Sequence, residues 1–329
     1  MNILYTLNDN FVPQVAAGIC SVCENNKNIK NINFYIISYG IKDINKKELI
    51  KIVNNYNRNM NIIELDSLEK YIDFDYDTLG WNKVILARIF MGKLLPENIK
   101  KILYLDGDTI VRGSLKELWD LKMGDKILGM SIEPTVDKKR KNKLGLEKYP
   151  YYNSGVLLVD LEKWRKEKAD EKIIEFYKKN NGNLFAADQD AINGALKDKI
   201  YTISPKYNFY NIFYQYPYKF LKKLMGQVPY ISKKEFDSAV KEPVIIHFLG
   251  EERPWRLGNN HKYKNDYLKS LNLTNYKNCN FEDGWKLYFI CFGIFNFFTK
   301  PFPFIRYKII NSLIPVFMKY RTNKNKKNK

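Results

Sequence analysis

An α/β fold, with a mainly parallel sheet covered by helices on both faces, is what this sequence predicts. Two observations carry that expectation. The first hundred or so residues alternate short strand-like runs with amphipathic stretches, and two later apolar runs, "SGVLLVD" and "EPVIIHF", have the look of buried strands. Strand–helix alternation of this kind places parallel strands side by side with helices packed on each face. A chain of 329 residues, 45% hydrophobic and 15% aromatic, has ample material for such a core, in one large domain or two modest ones.

The elements follow in order. A first strand at Ile3–Thr6 leads into a helix from about Val12 to Glu24. A strand at Asn33–Ser38 precedes a helix near Asn45–Tyr56, and a third strand covers Asn61–Leu65. "WNKVILARIFMGKLLP" (Trp81–Pro96) repeats apolar residues every three to four positions and closes on Pro, so it reads as a helix ahead of the strand Lys101–Leu105. The charged stretch Asp137–Lys148 reads as a mobile surface loop. Ser154–Trp164 starts as a strand and passes into a helix around Ala169–Lys179. "FAADQDAINGAL" is a loop running into a helix, and Glu242–Gly250 is a short buried strand ending in polar residues and glycine. No internal repeat is present.

From Gly284 the character changes. Between Trp285 and Lys329 there is no Asp or Glu but ten Lys or Arg, about half of the net charge of +19. A basic tail differs from a basic binding face, and this distribution argues against nucleic acid as a partner. "WKLYFICFGIFNFF" is apolar nearly all round but short of the roughly 20 residues that span a bilayer. "FPFIRYKIINSLIPVFMKY" is aromatic and basic, and "RTNKNKKNK" reads as disordered. Attachment to an anionic membrane surface fits these segments. A pair of helices packed on the domain or on a second copy is the plainer alternative. The division expected is 1–265 for a catalytic domain and 266–329 for a C-terminal extension. The opening "MNILYTLNDNF" is a strand without the features of a secretory signal, which implies a cytoplasmic protein, peripheral on the inner face of the plasma membrane. Cys20 and Cys23 match C-x-x-C but sit on a helix with no second pair, so they read as small core residues; Cys279 and Cys291 complete the set.

The chemistry starts at "KILYLDGDTIV". Asp106 and Asp108 are two residues apart in an extended segment, so both carboxylates point to one side, just beyond a strand's carboxyl end. Ligands of open α/β sheets bind there. Two like charges in that place repel unless a cation sits between them, and hard carboxylate oxygens suit Mg²⁺ or Mn²⁺. Gly107 between them lets a ligand approach the backbone. His247, one of two histidines, ends the buried strand Val244–Ile246 at the same edge and tilts the choice towards Mn²⁺. Asn153 and Gln189 can hydrogen-bond hydroxyls, and Asp188 can hold a sugar or face a developing positive charge.

"LNDNF", "LARIFMGKLLP", "LYLDGDTIV", "YYNSGVLLVDLEKW", "DQDAIN" and "IIHFLGEERPW" appear in that order. With them the chain resembles the family 8 retaining glycosyltransferases, the group that includes glycogenin and bacterial lipopolysaccharide galactosyl- and glucosyltransferases. The resemblance covers about residues 3 to 256. It implies a GT-A fold (the Rossmann-like nucleotide-diphospho-sugar transferase architecture), a UDP-glucose or UDP-galactose donor and an essential Mn²⁺, while the aromatic, basic C-terminus fits a glycan or lipid-linked glycan acceptor presented at a membrane. By the same resemblance Asp106, Asp108 and His247 are metal ligands, and Thr6, Leu7, Asn8 and Asn10 cradle the nucleoside. Arg88 helps hold donor phosphate and sugar, while Gly107 and Ser154 fall within donor-site motifs. Asn153, Asp188 and Gln189 surround the donor sugar, and Gly250 and Arg253 close on the diphosphate. Two positions depart from the family pattern. Asn8 stands where Asp is usual, and Arg253 replaces the commoner Lys, adding a planar fork suited to phosphate. A haloacid-dehalogenase-type phosphotransferase with Asp106 as nucleophile also places D-x-D after a strand, but Ile110 stands where that family has Thr. A non-enzymatic basic membrane-bound scaffold is the other alternative.

Overall fold

The structure, a computed structural model, describes residues 1–327. Its strands are β1 (Asn2–Leu7), β2 (Asn33–Ser38), β3 (Asn59–Glu64), β4 (Lys101–Leu105), β5 (Thr109–Val111), β6 (Leu128–Ile132), β7 (Tyr152–Asp160), β8 (Ile200–Thr202) and β9 (Ile245–His247). Seven form one sheet in the order β3-β2-β1-β4-β7-β6-β8, and β5 pairs with β9 in a second, two-stranded sheet. In the seven-stranded sheet β1 is parallel to β2 and β4, β2 to β3, and β6 to β8, and only β7 runs against its neighbours; β5 and β9 are antiparallel to each other. The expected mainly parallel α/β sheet is what the chain forms.

β4 shows why its sequence is apolar throughout. Ile102 and Tyr104 enter a core with Leu4, Ile37, Leu157 and Trp164 on one face of the sheet. Leu103 and Leu105 enter a second core on the other face, with Ile3, Phe34, Val156 and the helix Val12–Asn25. Each fully buried aliphatic side chain contributes roughly 1.5–3 kcal/mol of transfer free energy, so a strand buried on both faces is strongly held in the sheet. Cys20 and Cys23 lie in the second core as buried, unbridged thiols, and burial raises the pKa of both. A third core of aromatic residues, among them Phe209, Phe213, Phe248 and Trp255, packs beside β5 and β9.

Several local expectations change. Within Trp81–Pro96 the chain is a 3-10 helix over Lys83–Phe90, started by the Asn82 side chain accepting from Val84 N, and only Met91–Leu94 is α-helical. The segment expected as a mobile loop contains a helix, Lys138–Lys143, whose N-cap Asp137 accepts from Arg140 N. Its charges do not all face water, because Arg140 turns inward onto a buried carboxylate. The helix Lys264–Leu271 spans the expected boundary at 265/266 and packs against Val12–Asn25. Beyond it, Lys286–Thr299 and Pro303–Lys327 are helices that pack on each other. The second continues through 321–327, a stretch expected to be disordered; the last two residues of that expectation lie outside the described residues. Arg256 ties the extension to the preceding loop, with its guanidinium against Glu251 and Glu282 and over the Trp285 ring at 3.6 Å.

Candidate active site

Three segments deliver one cluster. β4 ends at Leu105, so Asp106 and Asp108 leave the sheet at its carboxyl edge, where Asp106 N still donates to Gly155 O of β7 at 2.8 Å. β5 pairs with β9 in a register that sets Thr109 opposite His247. That pairing brings the imidazole to the two carboxylates: His247 Nε2 is 3.2 Å from Asp108 Oδ1 and 3.9 Å from Asp106 Oδ2. One ligand atom from each of the three residues lies within 4.8 Å of the others.

The imidazole is oriented from behind. His247 Nδ1 meets Asn208 Oδ1 at 2.9 Å, and Asn208 Nδ2 donates to Asn153 Oδ1 at 2.9 Å. With Nδ1–H donated to that amide, Nε2 is the nitrogen directed at the carboxylates, the orientation that metal-ligating histidines use. Gly155 makes room for the ring, since a Cβ there would lie 2.2 Å from His247 Cε1. Burial would raise Asp108, but His247 and Arg253 hold its carboxyl down, to about 2. For His247, burial pulls the pKa down, yet the Asp108 carboxylate outweighs it and leaves the ring above its usual value. Two oxygen donors and one imidazole, converging and mutually charge-compensated, fit a divalent first-row cation.

Arg88, 4% exposed, joins this cluster to a second one. Its Nη2 is 2.8 Å from Asp106 Oδ1 and its Nε is 3.2 Å from Asp188 Oδ2, while Nη1 donates to Ser154 O at 2.9 Å. Every nitrogen of the fork therefore has a protein acceptor, and its face lies on the Tyr104 ring at 4.5 Å. Tyr104 OH also donates to Asp106 Oδ1 at 2.6 Å and meets Thr6 Oγ1 at 3.2 Å. Burial raises Asp188 to about 6, against the pull of Arg88.

Gln189 is held at three points. Its Oε1 accepts from Ser154 N at 2.9 Å, and its Nε2 donates to Tyr151 OH at 2.9 Å and Glu133 Oε2 at 3.2 Å. Asn153 donates to the same Glu133 oxygen at 3.0 Å. The turn into "ADQD" carries strain: Ala187 has φ +36°, a conformation that costs on the order of 1–3 kcal/mol in a residue with a Cβ. Asp190 faces away into its own pair, with Arg140 Nη2 at 2.6 Å and Tyr151 OH donating at 2.6 Å.

The remaining residues are less uniform. Asn8 Oδ1 and Arg253 Nε are buried and have no hydrogen-bond partner. Arg253 Nη2 reaches Asp108 Oδ2 at 3.3 Å, and its guanidinium lies near the Phe11 and Trp255 rings. Leu7 turns its side chain into the core, so only its backbone faces the site edge, and Asn10 is exposed. Gly250 has φ +78°, in the region that favours glycine. The close approach at Gly107 is protein against protein, since a Cβ there would lie 3.1 Å from Phe11 and Val15 side-chain atoms. Asn208, Glu133, Tyr151, Tyr104 and Gly155 complete the site without having been singled out from the sequence. Tyr104, Tyr151 and Gly155 stood inside the motifs "LYLDGDTIV" and "YYNSGV" without a role, whereas Asn208 and Glu133 carried no signal.

The family model described as Glycosyl transferase family 8 matches residues 2–257. General stress protein A of Bacillus subtilis (strain 168) is 27% identical over 280 residues, covering 83% of this chain and 94% of that protein. Lipopolysaccharide 1,2-glucosyltransferase of Escherichia coli (strain K12) is 25% identical over 260 residues, covering 78% of this chain and 72% of that protein. Among solved structures, the galactosyltransferase LgtC in complex with donor and acceptor sugar analogs superposes with a TM-score of 0.70 at 23% identity, covering 84% of this chain and 96% of LgtC. At that identity the likeness carries the fold, the GT-A architecture that the motifs imply.

Proposed function

The chain belongs to glycosyl transferase family 8, and from that membership we propose that it moves glucose or galactose from a UDP-sugar to a glycan acceptor, with retention of configuration. The observation that carries this reading is the convergence of Asp106, Asp108 and His247 within 4.8 Å, with the unpartnered Arg253 Nε beside them. Those three residues would hold Mn²⁺, with Mg²⁺ as the alternative; such an ion, when bound, supplies positive charge to a leaving diphosphate.

The chain's own groups account for the rest. Arg253 donates its free N–H to the diphosphate and matches the charge that grows there as the anomeric C–O bond lengthens. The free Asn8 Oδ1 accepts from the uracil N–H, which satisfies a buried orphan acceptor. Thr6, the Leu7 backbone and Asn10 edge the nucleoside. Arg88 acts as a positioning residue, fixing Asp106 and Asp188 relative to each other. Gln189 and Asn153 lie beneath the sugar, and ionised Asp188 faces its developing positive charge. The acceptor oxygen forms its bond to the anomeric carbon on the face the diphosphate leaves, and its proton passes to the departing phosphate oxygen. Asp190 takes no part, because Arg140 and Tyr151 already engage it.

The acceptor belongs to bacterial cell-surface polysaccharide or lipopolysaccharide synthesis, a reading supported by what the E. coli relative is named for. A lipid-linked glycan fits the C-terminal extension, where Leu287, Ile290, Ile294, Phe297 and Phe298 are all more than half exposed. No helix among the described residues is long and apolar enough to cross a membrane. Peripheral attachment to an anionic inner membrane surface through this face is the arrangement we favour. Release of UDP from UDP-glucose and UDP-galactose, with and without Mn²⁺, tests the reading; no release from either sugar in the presence of Mn²⁺ and a set of acceptor glycans would sink it.

A further inference from the structure

A second polar site lies where the C-terminal helices meet the catalytic domain. There, a cavity of about 330 Å³ is lined by Glu252, His261, Lys262, Asn296, Lys300 and Arg306. Arg306 is 1% exposed. Its Nη1 donates to Thr299 Oγ1 at 3.0 Å; Nε and Nη2 make no well-formed hydrogen bond, although the Tyr216 hydroxyl and the Glu252 carboxylate lie close enough to feel its charge, and Asn296 Oδ1 of the same cavity is also buried and unpartnered. The guanidinium sits among aromatic rings, 5.0 Å from Phe295 and 5.9 Å from Phe292 and Tyr216.

A buried cation with open donors is costly unless an acceptor completes it. Among the described residues Glu252 is the one carboxylate lining the cavity, and its Oε2 already accepts from the Asn211 and Gln215 amides. His261 adds no charge, since burial holds its pKa down at about 4. Lys262 and Lys300 are exposed at the rim. Three cations thus face one carboxylate, and the innermost offers a planar fork of the kind that grips phosphate. The same helix that carries Asn296 exposes Ile294, Phe297 and Phe298 to solvent, so a phosphate held here has an apolar surface next to it.

We propose that the cavity between Lys262, Lys300 and Arg306 is a phosphate-binding site, separate from the donor site, which takes a phosphate monoester or diester against the Arg306 guanidinium. The ligand is either the phosphate of a lipid lying along the exposed aromatic face or a free phosphate. Isothermal titration of the full chain, without divalent metal, uses two probes: inorganic phosphate, and dihexanoylphosphatidic acid below its micelle concentration. Both bind, and the tighter probe identifies the source. Arg306→Gln is expected to weaken binding at least tenfold. Because that change can loosen the helix pair, the rim variant Lys262→Ala/Lys300→Ala is measured beside it, with circular dichroism as the check on folding. It should lose several-fold in affinity, whereas Arg253→Gln should keep the parent affinity. If neither probe binds at millimolar concentration, the proposal is overturned. It is equally overturned if the folded rim variant binds both probes as the parent does.

Discussion

His247 Nε2 lies 3.2 Å from Asp108 Oδ1, and the contact follows from Thr109 and His247 being opposed residues of a two-stranded sheet. The geometry of this candidate metal site is therefore built by a pairing outside the main sheet. Asn208 Oδ1, 2.9 Å from His247 Nδ1, then sets which ring nitrogen faces the carboxylates.

Asn208→Ala should leave the fold intact and weaken Mn²⁺ binding. Loss of such an outer hydrogen bond to a metal-ligating histidine typically costs about 10–100-fold in affinity. Titration of the free chain with Mn²⁺, followed by electron paramagnetic resonance, reads this directly. An unchanged dissociation constant would remove Asn208 from the account.

Gly155→Ala places a methyl where His247 Cε1 stands 2.2 Å away. The ring must move, so metal affinity should fall by at least as much as in the Asn208 variant. The neighbouring Ser154→Ala keeps the ring's space and should bind Mn²⁺ as the parent does. Equal affinities for the parent and the Gly155 variant would mean that β7 tolerates the methyl.

Arg88 is buried between Asp106 and Asp188. Arg88→Ala leaves two carboxylates without their cation, which should destabilise the chain by about 3–5 kcal/mol. Arg88→Lys restores charge but not the fork, so urea unfolding should show partial recovery while turnover stays low. Full recovery of turnover by Lys would show that charge alone matters there.

Asp188 gives a pH signature. Its folded pKa, raised by burial to about 6, lies above the unfolded value. Its contribution is therefore fully present at low pH and is lost as pH rises through about 6. Relative to Asp188→Asn, the parent should lose roughly 2–3 kcal/mol of stability between pH 4 and pH 6.5, at about 1.4 kcal/mol per unit. Parallel stability curves for the two proteins would contradict the raised pKa.

Deleting residues 284–329 should release the protein from anionic vesicles while sparing donor hydrolysis. Co-sedimentation with phosphatidylglycerol vesicles measures the first and UDP release the second. Retention of the truncated chain on vesicles would move attachment to the catalytic domain.

Much of the fold was legible because β1, β2, β4 and β7 are buried on both faces and leave long apolar runs. The carboxylate pair was legible for a related reason, since it ends such a run; His247 also ends one, but what brings it to the carboxylates is the pairing of β9 with β5 in the separate two-stranded sheet. Asn208 lies between a 3-10 turn and a four-residue helix, where no periodicity marks a strand or a face, and its role rests on a contact with β9. Arg140 was hidden among lysines, since nothing local says which charge of "DKKRKNK" turns inward to Asp190. The 3-10 geometry of Lys83–Phe90 escaped because apolar spacing of three to four suits either helix. In the C-terminal extension the apolar faces were readable, but the cavity around Arg306 depends on how two helices meet a loop distant in sequence.

The most direct test of the central claim compares UDP release by the parent and by Asp108→Asn, from UDP-glucose and UDP-galactose, across a Mn²⁺ titration. Saturable, Mn²⁺-dependent release by the parent from at least one of the two sugars is expected, with a loss of several orders of magnitude in the variant. Release that proceeds equally without metal, or that survives Asp108→Asn, would contradict it.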